Sequence, residues 1–495
     1  MTAADYIVVG GGSAGAAVTK RLVDAGASVL LLEAGGEDTN EAIHDPHRAA
    51  ELWLSPEDWG YHTLPQPHAN DRRLHWPRGK VLGGSSSLNG MIWVRGAAAD
   101  WDHWAYLGND GWAWEDVVPV FERIEEPTGG PQSVTTDWTP DPIQQAVMAS
   151  IQETGIAENQ DYNSGTLDGV AWTKLTLKDG KRQSVAGSYL APIAGHDGLT
   201  VITRAHARRL LIDGGRCTGI EFERDGEVEI AHAGGEVIVS CGTIESPRLL
   251  MLSGLGPADH LREHGIEVVE DLPGVGSNLH DHLLSPVIWT AEREIGMSSP
   301  GLPPAQVHFW ARSRPGLVAP DIQPLHFQVP MYEQWMEGPP NGFSLMAGMV
   351  RPASRGTIRL TGPDPWDELA IDPATLSCEA DAVALEASVE LCREIGRAGP
   401  LREWGAEELY PGPGVTSPAD VRDWVKRTAI TYHHQAGTCR MGIDADAVVD
   451  PRLSVHGVAG LRVADASVMP AVPSGNTHAP SVLIGERAAD FIGSP

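Results

Sequence analysis

The 495-residue sequence predicts an α/β protein in two parts: a parallel, doubly wound sheet flanked by helices, and an α+β part on an antiparallel sheet. Three observations predict it. A β-branched run, a glycine turn, an Ala-rich helix and a second apolar run open the chain. A further strand, turn and helix recur at 236–257. Between about 286 and 429, alternating strand patterns and one amphipathic helical stretch replace that rhythm.

The opening stretch reads "DYIVVG" (5–10) as a buried parallel strand, "GGGSAGAAVTKRLVDAG" as a turn and helix ending at Gly26, and "SVLLLE" (28–33) as a second buried strand. Its glycines fit G-x-G-x-x-G as Gly10, Gly12 and Gly15, with Ser13 and Ala14 inside the turn. Gly10 permits the tight turn, Gly12 admits a pyrophosphate to the backbone, and Gly15 lets the helix pack on the strand. The helix N-terminus offers free N–H groups and a positive dipole end. Glu33, followed by Ala34, can accept ribose hydroxyls, and its charge disfavours a 2′-phosphate. This is a Rossmann-like dinucleotide site; the motif alone leaves NAD and FAD open.

"WPRGKVLGGSSSLNGMIWVRG" (76–96) is rich in small residues yet interleaved with Val81, Leu82, Leu88, Met91, Ile92 and Trp93, as in a loop laid against a flat or phosphorylated group. "EVIVSCGTIESPRLLMLSGLGP" (236–257) reads as a buried strand, a turn, and a helix opened by Ser246 and Pro247 as N-cap and first helical residue.

Composition sets limits. Lys and Arg number 36 against 66 Asp and Glu, a net charge of -30, which repels nucleic acid and anionic lipid. Five scattered cysteines form neither a disulfide framework nor a zinc motif. The chain enters a strand at once and has no run of about 18 apolar residues, so neither a signal peptide nor a membrane span is expected and a cytoplasmic location is.

With these segments in view, the sequence resembles the glucose–methanol–choline (GMC) oxidoreductases, FAD-dependent alcohol oxidases and dehydrogenases. The resemblance rests on "GGGSAG", "GKVLGGSSSLNGMIWVRG", "GTIESPRLLMLSGLGP", "GVGSNLHDH" (274–282), "HHQAGTCRMG" and "VADASVMPAVPSGNTHAPSVLIGERAADFI" (463–492), in consistent order. It implies FAD as the dinucleotide. Residues 76–96 would lie along flavin and pyrophosphate, through Arg78, Gly83, Gly84, Ser85, Asn89, Gly90 and Met91. Cys241, Gly242, Asp465, Ala466, Asn476 and Thr477 would complete the cofactor site, with backbone at Ala207 meeting the adenine. Members with covalent flavin carry a histidine where this chain has Leu88, so FAD is expected to be non-covalent.

The resemblance also places the catalytic pair. The family's histidine three before the glycine of "HHQAGT" is His434, and its second His or Asn, seven before the glycine of "IGER", is His478. A neutral imidazole can take the proton of an alcohol O–H, and a second can hold the oxygen as charge develops, while hydride passes to flavin N5. His433, its side chain expected on the opposite face of an extended chain, is assigned to packing or hydrogen bonding. His280 and His282 of "HDH" lack a third ligand, so no metal is expected and His282 is placed in the core.

Motifs near both termini and in the middle make the cofactor part discontinuous: 1–150, 196–285 and 430–495, with 151–195 and 286–429 forming the substrate part. Strands are expected in "AQVHFWARS" and "GTIRLT", a helix over 379–399, and an entrance loop or connector at 298–306. Trp93 and, within 323–343, His326, Phe327, Met331, Tyr332 and Trp335 are candidate pocket residues, favouring primary or aryl alcohols. Reoxidation by O2 or by a quinone or protein acceptor is left open. So are a hydroxynitrile-lyase-like activity on the same fold and an accessory flavoprotein role.

Overall fold

The computed structural model describes residues 2–493. The opening β-branched run becomes the strand Thr2–Val9, and the Ala-rich stretch the helix Ser13–Asp24. Strand Thr2–Val9 lies between Val29–Leu32 and Glu227–Val239, parallel to both. Leu199–Ile202 and Leu461–Val463 extend the parallel part outward, and Ala205–Asp213 with Arg216–Arg224 add an antiparallel meander. The central strands are buried on both faces, which is why they read as continuous apolar runs.

The second sheet runs in the order Glu407–Tyr410, Leu283–Thr290, Gly342–Met349, Leu325–Phe327, Val307–Trp310, Gly169–Trp172, every pair antiparallel; Ile430–Thr431 joins the start of Leu283–Thr290. Helix Glu379–Gly396 covers one face. Phe343, Leu345, Ala347 and Met349 share a core with its Leu385, Val389, Cys392 and Ile395, while Met346 points the other way, as the two-residue period of a strand dictates.

Three local expectations change. "GTIRLT" joins no large sheet: Thr357–Arg359 pairs with Ala370–Asp372 as a ribbon packed on Leu74, Trp76, Ile244 and Leu279. The helix expected to open at Ser246 and Pro247 begins earlier, as Gly242–Leu252. Pro247 is tolerated inside it because the carbonyl it cannot serve, that of Thr243, accepts the Thr438 hydroxyl at 2.6 Å. The cores also divide elsewhere than at 150 and 195. Ile143, Val147, Met148 and Ile151 of helix Pro142–Glu153 pack in the second core, whereas Tyr189, Leu190 and Ile193 pack in the first.

Candidate active site

A cavity of about 550 Å3 runs from the glycine turn to the paired histidines. At one end Glu33 accepts the N–H groups of Gly11 (2.9 Å) and Gly35 (2.8 Å), and burial pushes its carboxyl up to about 7. The loop after Val81 is tied to this turn through the Gly83 N–H and the Gly11 carbonyl, 2.9 Å apart. The approach is close: at Gly84, whose φ is +54°, a Cβ would come within 2.8 Å of Gly12 Cα. The first N–H groups of helix Ser13–Asp24, which no preceding turn can satisfy, are left for a ligand. Across the cavity, Asp465 accepts Gly242 N–H (2.9 Å) and Ser246 O–H (2.5 Å) through one oxygen and Ser467 N–H (2.8 Å) through the other.

Of the residues expected to hold the cofactor, Gly10, Gly12, Ser13, Ala14, Glu33, Ala34, Arg78, Gly84, Ser85, Asn89, Gly90, Met91, Ala207, Cys241, Gly242, Asp465, Ala466, Asn476 and Thr477 line this cavity. Gly15 and Gly83 stand behind it. A Cβ at Gly15 would fall 1.9 Å from the Gly10 carbonyl oxygen, so Gly15 serves the packing of helix on turn.

His434 and His478 both line the same cavity, both buried. His434 Nδ1 lies 3.0 Å from His282 Nδ1, and its Nε2 lies 3.3 Å from Asn476 Nδ2. Asp281 holds the backbone, accepting the N–H of His434 at 2.8 Å. His478 opens helix His478–Gly493; its Nδ1 meets Ser13 Oγ at 3.0 Å, and its Nε2 has no protein partner. Burial lowers both imidazoles, that of His478 to about 4 and that of His434 well below the usual value, so both are neutral near pH 7.

The two-face expectation for His433 fails. His433 has φ +68°, so the chain is not extended there, and both histidines line the cavity. The His433 carbonyl accepts Arg78 Nη2 at 2.8 Å, and its ring packs 5.2 Å from that of Trp53. His280 spends both ring nitrogens on structure, donating to the Asn278 carbonyl and accepting the Val472 N–H.

Of the pocket candidates, Phe327 and Met331 line the cavity, and Trp93, His326, Tyr332 and Trp335 do not. Trp93 is wholly buried, donates to Glu125 at 2.8 Å, and lies nearly perpendicular to the His478 ring with centroids 5.4 Å apart. His326 sits on a strand whose neighbours Leu325 and Phe327 face the cavity, so it points away, bonded to Gln144 at 2.8 Å. Trp335 lies under Arg427 at the surface, 40% exposed. The apolar lining of the cavity includes Leu284, Leu325, Phe327, Val329, Met331, Met346, Ile430 and Tyr432, with Met297 and, from the 298–306 region, Ser298 and Pro303 to Ala305 alongside.

Sequence reasoning missed two supports. His282 touches His434 through space alone, so no local pattern announces it. Arg182, buried, braces the 86–91 loop by donating to the Asn89 carbonyl (2.5 Å) and Asn89 Oδ1 (2.7 Å); burial disfavours its charge and lowers its pKa to about 9.

A glycine cradle and neutral imidazoles lining one cavity mark an oxidoreductase that works on a bound dinucleotide. Family comparison agrees: models described as GMC oxidoreductase match residues 4–284 and 352–485. The chain belongs to the GMC oxidoreductase family of FAD flavoproteins. A Mycobacterium tuberculosis protein named an uncharacterised GMC-type oxidoreductase is 40% identical, with 100% of each chain covered. An oxygen-dependent choline dehydrogenase of Rhizobium etli is 39% identical over 99% of this chain and 95% of its own. Among solved structures, pyridoxine 4-oxidase from Mesorbium loti superposes with a TM-score of 0.93 at 34% identity, covering 98% of both chains. No helix among the described residues is long and apolar enough to cross a membrane.

The donor set suits FAD. Free helix N–H groups and close glycine backbone fit a pyrophosphate, Glu33 fits a ribose, and two cavity-lining imidazole nitrogens, His478 Nε2 and His433 Nδ1, are buried without protein partners.

Proposed function

We propose that this enzyme oxidises a neutral alcohol, primary and carrying an aryl or medium-length apolar group, to its carbonyl compound, using non-covalent FAD. The observation that supports the proposal is that His434 and His478 line the same cavity as the glycine turn. Bound FAD supplies the two-electron acceptor for the carbinol C–H. His434, neutral and aimed into the cavity, takes the hydroxyl proton on Nε2. His478 Nε2 donates to the same oxygen as negative charge grows there, its ring set by Ser13 and by packing against Trp93. Leu88, which lines the cavity, cannot form a covalent flavin link. The electron acceptor is proposed to be O2 or a quinone or protein, and the location cytoplasmic.

The substrate's charge is argued from the walls. The acids lining the cavity among the described residues are Glu33, Glu245 and Asp465. Glu33 and Asp465 belong to the cofactor cradle, and Glu245 is engaged by Tyr61 and Arg248. None is left to balance a quaternary ammonium against apolar walls. The test is anaerobic mixing of the yellow holoenzyme with benzyl alcohol, hexanol, glucose and choline. Benzyl alcohol or hexanol should bleach the flavin, and choline should do so at least about tenfold less efficiently. An unchanged spectrum with every alcohol sinks the proposal.

A further inference from the structure

The base proposed above is useful only in one of its two neutral forms. An imidazole carries a single proton when neutral, and the nitrogen that takes the substrate proton must hold the lone pair. The side chains around His434 decide which nitrogen that is.

Asn476 lies between Gln323 and His434. Its Oδ1 accepts from Gln323 Nε2 at 3.1 Å, which turns its amide nitrogen toward His434 Nε2 at 3.3 Å. An amide NH2 only donates, so His434 Nε2 facing it carries no proton. Gln323 is itself held. Its Nε2 also meets His308 Nδ1 at 3.3 Å, its N–H donates to the Gly348 carbonyl at 3.1 Å, and its own carbonyl accepts the Tyr432 hydroxyl at 3.2 Å. The proton of His434 therefore sits on Nδ1 and is donated to His282 Nδ1, 3.0 Å away. That places the His282 proton on Nε2. The cost appears at the two ends of the chain, where Gln323 Oε1 and His282 Nε2 are buried without partners. Tyr432, stacked on the His434 ring with centroids 4.7 Å apart, blocks rotation about the other axis.

We propose that Gln323, Asn476 and His282 act as positioning residues that lock His434 as the Nδ1–H tautomer, its Nε2 lone pair open to the substrate hydroxyl. The inference rests on the reading of His434 as the base. The long 3.3 Å contact to Asn476 is the one an arriving hydroxyl replaces. The charged and titratable groups around His434 are His282 and Asp281 on the turn behind it, Tyr432 and His433 on its own segment, Arg78 across from them, and His478 on the same cavity. Asp281 binds backbone and neighbouring side chains, not the ring, so it does not choose the tautomer.

Neutron diffraction from the deuterated FAD-loaded enzyme reads the proton without turnover. Deuterium on His434 Nδ1 and His282 Nε2 is the expected result, and deuterium on His434 Nε2 overturns the proposal. In solution, Asn476→Asp puts an acceptor opposite Nε2 and favours a proton there. Anaerobic flavin reduction should slow by about tenfold or more, the pH of half-maximal reduction should rise by about one unit or more, and substrate dissociation should stay within about threefold. His282→Leu should slow reduction likewise but without that rise, because an acceptor that stabilises the imidazolium is lost, and His282→Asn, whose carbonyl can accept from Nδ1–H, should recover most of the rate. Wild-type rate and pH dependence in Asn476→Asp together with a wild-type rate in His282→Leu would also overturn it. The proton position stands apart from the assignment of the base, which His434→Ala tests.

Discussion

His433 and His434 show how much one backbone angle decides. In extended chain, neighbouring side chains diverge; with φ at +68° on His433 they do not, and two imidazoles reach one cavity. Their environments still separate them. His434 has ring partners on both nitrogens, whereas His433 offers its carbonyl to Arg78 and leaves Nδ1 unpartnered. Replacing His434 by Ala should slow anaerobic flavin reduction by about a hundredfold or more with little change in FAD content, because the proton acceptor is gone. His433→Ala should cost under about tenfold in the same stopped-flow measurement. Equal losses in the two variants would mean that the base has been assigned to the wrong ring. The catalytic candidates were legible through their motifs, since His434 and His478 sit at fixed distances from glycines. His282 was not, because its partner is 152 residues away in sequence. His326 was misplaced by a single strand position, the least distance by which a two-residue period can mislead.

At the scale of elements, the helix Gly242–Leu252 shows why its start was misread. Ser246 and Pro247 look like a helix opening, but Ser246 Oγ accepts the Cys241 N–H from within the helix and donates to Asp465, and Thr438 takes the carbonyl that Pro247 leaves. Both compensations come from the far C-terminal segments, which no local pattern contains. Thr438→Val keeps the shape and strands the buried Thr243 carbonyl. It should lower unfolding free energy by about 1–3 kcal/mol in chemical denaturation, with the urea dependence of the transition unchanged. The strands and helices whose signals are local, Thr2–Val9, Ser13–Asp24, Val29–Leu32 and Glu379–Gly396, were readable because period and burial agree in them. "GTIRLT" has the same pattern and pairs elsewhere, as strand period says nothing of partner.

Across the whole molecule, buried neutral imidazoles set the response to acid. His280, His282, His308, His326 and His433 are each lowered to about 3 by burial, His478 to about 4, and His434 well below its usual value. The unfolded chain protonates these rings as pH falls through about 6.5, and the folded chain resists until far lower. Their contribution is thus intact above pH about 6.5 and is lost as pH falls toward the folded values. The carboxyls of Glu33 and Asp281, raised to about 7 and about 6, and those of Asp465 and Glu486, also raised, work in the opposite sense but are fewer. Melting temperature should therefore drop steadily from pH 6.5 to 4, and His326→Gln, away from the cavity, should make that decline shallower. A flat profile would show that these rings are charged in the fold. The division into a parallel and an antiparallel sheet was visible in the sequence, but its seams were not, because helix Pro142–Glu153 changes sides only through packing.

The strand Leu283–Thr290 begins immediately after Asp281 and His282, and its second residue, Leu284, faces the cavity. One uninterrupted stretch of backbone thus carries both the groups that hold the proposed base and a wall of the cavity it lines. Selectivity and reactivity in this scaffold are consequently not modular. A chimera that imports a relative's substrate sheet should carry residues 278–282 with it, and variants selected for bulkier substrates at Leu284 should show altered pH profiles even though no ionisable group was changed.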